Sequence, residues 1–276
     1  MLDIFNIPGQ QDNVKIFYAA GTTAWQTWTR PRNCKFVWMM CIGGGAGGGN
    51  GIVNTGSPAG GSGAITKALF PANVLPDTLF IQPGPGGAGG SNGNRSWVTI
   101  AANSTVAMNT VCVSGTAAAV AGIANTSIGV GETVASTTVA GLLSLGNFSF
   151  TAGFFFNSSP YIPFTGGSLV TSGLNGGTVG GGGGSSISSV DLGNGIVIPA
   201  INGGSNGAGG NGGSGVFSWK PFYSLGGAGG GSNNAGAGGK GGNGAYGSGG
   251  GGGGGGSTGG GAGGNGGDGL VVIVTF

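Results

Sequence analysis

Histidine is absent from this chain, and charge of either sign is scarce: eight Lys and Arg and six Asp and Glu together make 5% of its residues. Without His, no Ser-His or Cys-His dyad can activate a nucleophile. The acids (Asp3, Asp12, Asp77, Glu132, Asp191 and Asp268) are scattered, which signals neither a metal cage nor a carboxylate pair of glycosidase type. The expectation is a protein that is not an enzyme and needs no cofactor. Few cations and no RGG repeats also argue against a nucleic-acid partner.

Cysteine is limited to Cys34, Cys41 and Cys112, an odd count without a CxxC pair. Buried thiols in a chain made in a reducing cytoplasm are the expectation. No apolar run reaches the roughly 18–20 residues of a membrane helix, so membrane insertion is not expected. The opening "MLDIFNIPGQQDN" lacks the basic and continuous apolar regions of a secretory leader, which points away from ordinary secretion.

Glycine supplies what these classes lack: 74 of 276 residues. A disordered chain would combine low hydrophobicity with high net charge, but net charge is +2 and mean hydropathy is positive. Collagen needs Gly at every third position with abundant Pro, and runs such as "GGGGGGGGSTGGGAGGNGGDG" (249–269) read as lacking that period. Each Gly in regular structure costs about 0.5–1 kcal/mol relative to Ala, so the fold must use Gly where nothing larger fits. Extended threefold helices of the polyproline II type, with backbone groups pointing outward, satisfy this if packed side by side, since each then supplies hydrogen-bond partners to the next.

Between the glycine tracts lie short β-branched and aromatic stretches that read as strands: "KFVWMMCI" (35–42), "AITKALF" (64–70), "TLFIQP" (78–83), "SWVTIA" (96–101), "STVAMNTVCVS" (104–114) and "GLVVIVTF" (269–276). Only residues 116–124 offer a weak helix. The predicted fold is all-β: a short-strand, sandwich-like anchor carrying glycine-rich, polyglycine-II-like layers and loops. The chain divides into an N-terminal segment (1–33), the β anchor (34–101 plus 270–276), a Ser/Thr- and aromatic-rich middle (102–225) and a glycine-rich region (226–269).

The stretch "TTAWQTWTRPRNCKFVWMMCIGGGAGGG" (22–49) resembles the glycine-rich domain of phage tail-fibre and other virion-associated proteins, in which a Trp-Thr-x-Pro element leads through a hydrophobic strand into a glycine tract. "GGSGAITKALF" (60–70), "PDTLFIQPGPGGAGGSNG" (76–93) and the ending "AGGNGGDGLVVIVTF" (262–276) follow in the family's order. The turn "PRNCK" departs from the family's Pro-x-Gly, and the long middle has no counterpart in short members. A second similarity is to phage adhesins whose packed polyglycine helices carry receptor-binding loops.

The resemblance implies a virion structural protein, a tail-fibre or tail-tip subunit favoured over a capsid fibre or decoration protein. It would assemble as a homo-oligomer, trimer first, and bind other virion proteins and a bacterial surface glycan or outer-membrane protein. By that analogy Tyr161, Trp219, Lys220, Phe222 and Tyr223 are candidate receptor contacts, being hot-spot residue types. Filling space between glycine layers is the competing role for such aromatics. Residues 1–33 with the basic cluster Arg30, Arg32 and Lys35 form the candidate docking end.

"GAGGKG" (236–241) fits GxGxxG, but Gly241 stands where a P-loop needs Ser or Thr, and chance matches are frequent in a chain this rich in Gly. Sequons at Asn103, Asn125, Asn147 and Asn157 reflect only common Asn, Ser and Thr.

Overall fold

A computed structural model describes residues 14–19, 21–115, 146–147, 173–180, 183–191, 197–219 and 222–276. The fold is all-β. Its strands are β1 (Val14–Tyr18), β2 (Gln26–Thr29), β3 (Phe36–Ile42), β4 (Ile65–Pro71), β5 (Thr78–Gln82), β6 (Trp97–Thr99), β7 (Thr110–Val113), β8 (Gly146–Asn147), β9 (Val190–Asp191), β10 (Val197–Ile198), β11 (Phe217–Trp219), β12 (Phe222–Ser224) and β13 (Leu270–Thr275). Among the described residues no helix is long and apolar enough to cross a membrane.

A five-stranded sheet in the order β1-β13-β3-β4-β8 faces a four-stranded sheet in the order β2-β5-β6-β7, with neighbouring strands antiparallel. Alternation explains the split of side chains. Val37, Met39 and Cys41 of β3, with Val271 and Ile273 of β13, point between the sheets to meet Trp28, Leu79, Ile81, Val98 and Cys112. Met40, Ile42, Leu270, Val272 and Val274 point the other way, where Phe217, Trp219 and Tyr246 cover them. Burial on both faces is why β3 and β13 read as unbroken apolar runs, whereas β5 buries only Leu79 and Ile81.

The anchor draws on more of the chain than the sequence division assigns to it. β1 and β2 fall within residues 1–33 yet are an edge strand of each sheet, and β7 comes from the middle region. Both are short, with polar residues alternating outward, as in "VKIFY" and "QTWT". The stretch 104–114 is not one strand: a 3-10 turn, Ala107–Asn109, precedes β7, and the Asn109 side-chain amide donates to Ser104 Oγ at 2.8 Å. The weak helix at 116–124 and the aromatic cluster through residues 148–164 lie outside the described residues.

The glycine tracts form a bundle of extended helices rooted on one end of the sandwich. Residues 249–256, the longest glycine run, form its axis. The amides of Gly250 and Gly253 donate to Ala46 and Gly49, those of Gly251 and Gly254 to Gly242 and Gly239, and those of Gly252 and Gly255 to Leu174 and Gly177, at 2.8–2.9 Å. Its carbonyls accept from three further tracts: Gly249, Gly252 and Gly255 from Gly227, Gly230 and Asn233; Gly250 and Gly253 from Gly60 and Ser57; Gly251 and Gly254 from Gly264 and Gly261. A change of partner at every residue, repeating every third, requires a threefold helix, and six neighbours make the packing hexagonal.

The apparent absence of a three-residue period is therefore corrected. Peripheral helices carry a non-glycine residue at every third position facing water: Ala237, Lys240 and Asn243; Ala262, Asn265 and Asp268; Ala208, Asn211 and Ser214. The axial helix faces neighbours on all sides and has no such position. A Cβ on Gly249, Gly250 or Gly251 would run into the carbonyl oxygens of Gly60, Gly264 and Ala228, on three different neighbours.

Asn and Asp seal the flanks of the bundle, where a helix has no neighbour for its outward amides. Asn211 Oδ1 accepts from the Lys240 amide at 2.9 Å, Asn243 Oδ1 from Asn265 at 3.0 Å, and Asn50 Oδ1 from Gly263 at 2.9 Å. Asp268 accepts from Gly86 at 2.8 Å and from Gly21 at 2.9 Å, tying the bundle to the segment after β1.

Candidate interaction surfaces at the two ends

Strand direction sorts the loops into two groups. Chains leave β3 and β12 outward through glycine helices and return to β4 and β13, so the reversals at 52–55, 178–180, 206–209, 233–237 and 257–259 gather at the free end of the bundle. Connections at 30–35, 72–77 and 100–109 lie at the opposite end, beneath the sandwich.

The free end is uncharged in these five reversals. Ile52 and Thr55 exchange amide–carbonyl hydrogen bonds at 2.9 and 3.2 Å across a two-residue turn. Asn54 takes φ 62° there, a left-handed conformation that Asn adopts more readily than β-branched residues. The turn is pinned to the axial helix by the Asn54 amide on the Gly256 carbonyl at 3.0 Å, and the Val179 amide reaches the Asn54 carbonyl at 3.2 Å. Ile52 and Val53 consequently stand 64% and 53% exposed on a fixed turn. Nothing in the local sequence marks them; their exposure follows from long-range pairing of glycine tracts.

The β end carries Phe36, Val74, Val106, Met108 and Phe276, all exposed. A cleft of about 450 Å³ opens there, lined by residues that include Arg30, Arg32, Asn33, Cys34, Asn73 and Asp77. Arg30 is committed internally: its guanidinium pairs with Asp77 and donates to the carbonyls of Ala72 and Leu75, the latter at 3.1 Å. Arg32 and Lys35 are exposed. The three basic residues share one end of the molecule, with two of them presented to solvent.

Trp219 and Tyr223, the candidate receptor contacts whose side chains are described, do not stand at the free end. Trp219 is half-buried against the outer face of the five-stranded sheet, with Phe217 edge-on at 4.8 Å between ring centroids. Tyr223 is buried among Ile198, Ile201, Leu225 and Ala228; next to glycine helices, which bring no side chains, its ring fills space. Phe222 pairs with Trp219 across the β11–β12 hairpin. Tyr161 and Lys220 lie outside the described residues.

The family profile of the glycine-rich domain matches residues 19–275, nearly the whole of the chain. The chain belongs to the glycine-rich domain family. No curated protein matches it. The match takes in both the sandwich and the bundle, so the glycine-rich domain here is one unit of strands and threefold helices. Among the described residues its two ends differ in chemistry: one is apolar and basic, the other uncharged in its reversals and bearing the fixed side chains of Ile52 and Val53.

Proposed function

We propose that this glycine-rich domain is a structural subunit of a phage virion, set in the tail as a fibre or tail-tip protein, which docks by its β end and meets a bacterial surface receptor with its free end. The observation that carries this reading is the polarity of the molecule. A sparsely charged spacer roughly 25 Å long, at about 3.1 Å per residue over the axial run, holds one loop-bearing surface away from another.

Rigidity suits the role. Glycine helices have no side-chain entropy to lose, and dense backbone hydrogen bonding, each bond contributing about 1 kcal/mol net, fixes the loops before contact. Ile52 and Val53 therefore bind with little ordering cost. The receptor is a surface glycan or an outer-membrane protein. At the β end Arg32 and Lys35 beside Phe36 and Phe276 serve docking to another virion protein and to further copies of the chain, as a trimer. No chemical step is assigned to the protein.

Gold-labelled antibody against the chain, imaged on intact particles, tests the placement. Label at the tail tip supports it. Label over the head replaces it with a capsid fibre or decoration protein and removes the receptor.

A further inference from the structure

Two of the three free thiols meet. Cys41 in β3 and Cys112 in β7 belong to opposite sheets and are fully buried in the core between them. Cys112 Sγ donates to the Thr66 carbonyl at 3.9 Å, and the Cys112 thiol stands close enough to Cys41 to act on its ionisation. Thr66 is the residue that pairs with Cys41 across β3 and β4. Both contacts thus set Cys112 over the same rung of the five-stranded sheet.

The approach has a structural cause. Stacked sheets ordinarily lie about 10 Å apart, but here they converge where the glycine bundle begins. The Ser96 hydroxyl donates to the Ile42 carbonyl at 2.6 Å, and the Ser96 amide donates to Ser114 Oγ at 2.8 Å. A Cβ on Gly43 would stand 2.7 Å from the Gly115 carbonyl oxygen. The seam draws β3 and β7 together one to three residues beyond the cysteines.

We propose that Cys41 and Cys112 are a cross-linking site, which an oxidising environment converts to a disulfide joining the two sheets at the root of the glycine bundle. With a small-molecule disulfide as oxidant, one cysteine loses its proton and its thiolate attacks, forming a mixed disulfide and expelling one small thiolate. The second cysteine, also deprotonated, attacks the protein-side sulfur and expels the other. Two cysteines are oxidised, the oxidant is reduced to two thiols, and the two protons end on them.

Burial first, and the neighbouring Cys112 second, push the Cys41 thiol well above its ordinary value. The closed sandwich therefore offers little thiolate, and oxidation proceeds through opening of the seam. It is slow in buffer and faster in mild denaturant. Cys34, half-buried at the other end of β3, stays outside the reaction.

The test is to incubate the full chain with hydroxyethyl disulfide in sub-denaturing urea, remove both, alkylate under denaturing conditions and map the peptides by mass. The expected product joins the Cys41 and Cys112 peptides with two hydrogens lost and Cys34 alkylated. Its Tm is raised by about 5–10 °C, and reductant reverses the rise. Cys34→Ser keeps this behaviour and Cys112→Ala loses it; should the alanine variant not fold, the wild-type map decides. Three alkylated thiols after exhaustive oxidation, a link through Cys34, or a Cys41–Cys112 link that lowers Tm overturns the proposal.

Discussion

Gly251 donates its amide proton to the carbonyl of Gly242 at 2.8 Å, while a Cβ on the same residue would collide with the carbonyl of Ala228 on another helix. One position thus shows both the bonding that holds the bundle and the steric reason for its composition. Gly251→Ala is expected to destabilise the protein by at least about 3 kcal/mol, above the usual range for overpacking, because the obstruction is backbone. Gly259→Ala, where nothing lies within 4 Å, is expected to be neutral or to stabilise by about 0.5 kcal/mol through the unfolded chain. Urea titration of the two variants checks the contrast.

Arg30 joins the loop after β2 to the β4–β5 connection through Asp77 and two carbonyls. Arg30→Ala removes the tie to the Leu75 carbonyl and the pair with exposed Asp77, while the Ala72 carbonyl keeps the Leu75 amide, and is expected to cost about 1 kcal/mol. Arg32→Ala, at an exposed site, should stay within about 0.5 kcal/mol of wild type. Denaturant midpoints of the pair separate a structural arginine from a surface one.

Lys67 is half-buried in β4, and burial lowers its pKa to about 8. Between pH 8 and the unfolded value near 10.4 the unfolded chain binds more protons than the folded one, so stability rises with pH across that window. Below pH 8 the charged ammonium destabilises the fold in full. The gain on moving from pH 8 to 10.5 is expected to be about 1–3 kcal/mol, and Lys67→Met should remove it. The difference between wild-type and variant unfolding free energies across that range is the measurement.

Much of the anchor was legible because β-branched and aromatic runs bounded by Gly or Pro leave few alternatives: β3, β4, β5, β6 and β13 fall where composition puts them, within a residue or two at each end. β1 and β2 were not, since their short alternating patterns gain meaning only from pairing with β13 and β5. The three-residue spacing of Lys240, Asn243 and their counterparts was present in the sequence; a test for collagen, which demands Pro and one Gly per triplet, passes over a pattern with two. Tyr223 has no single reading from sequence, because an aromatic beside glycine fills core space as readily as it makes an interface; the packing buries it. Ile52 and Val53 were hidden inside a glycine tract, and only the packing of the bundle's free end exposes them.

The direct test of the account is competition for host adsorption. Purified wild-type protein is expected to block adsorption of the source particles to their host. The Ile52→Ser/Val53→Ser variant, with unchanged Tm, should block at least about tenfold less well, the loss of a little over 1.4 kcal/mol of contact. Equal blocking by both proteins, or none by the wild type, would contradict a receptor-binding surface at the free end of the bundle.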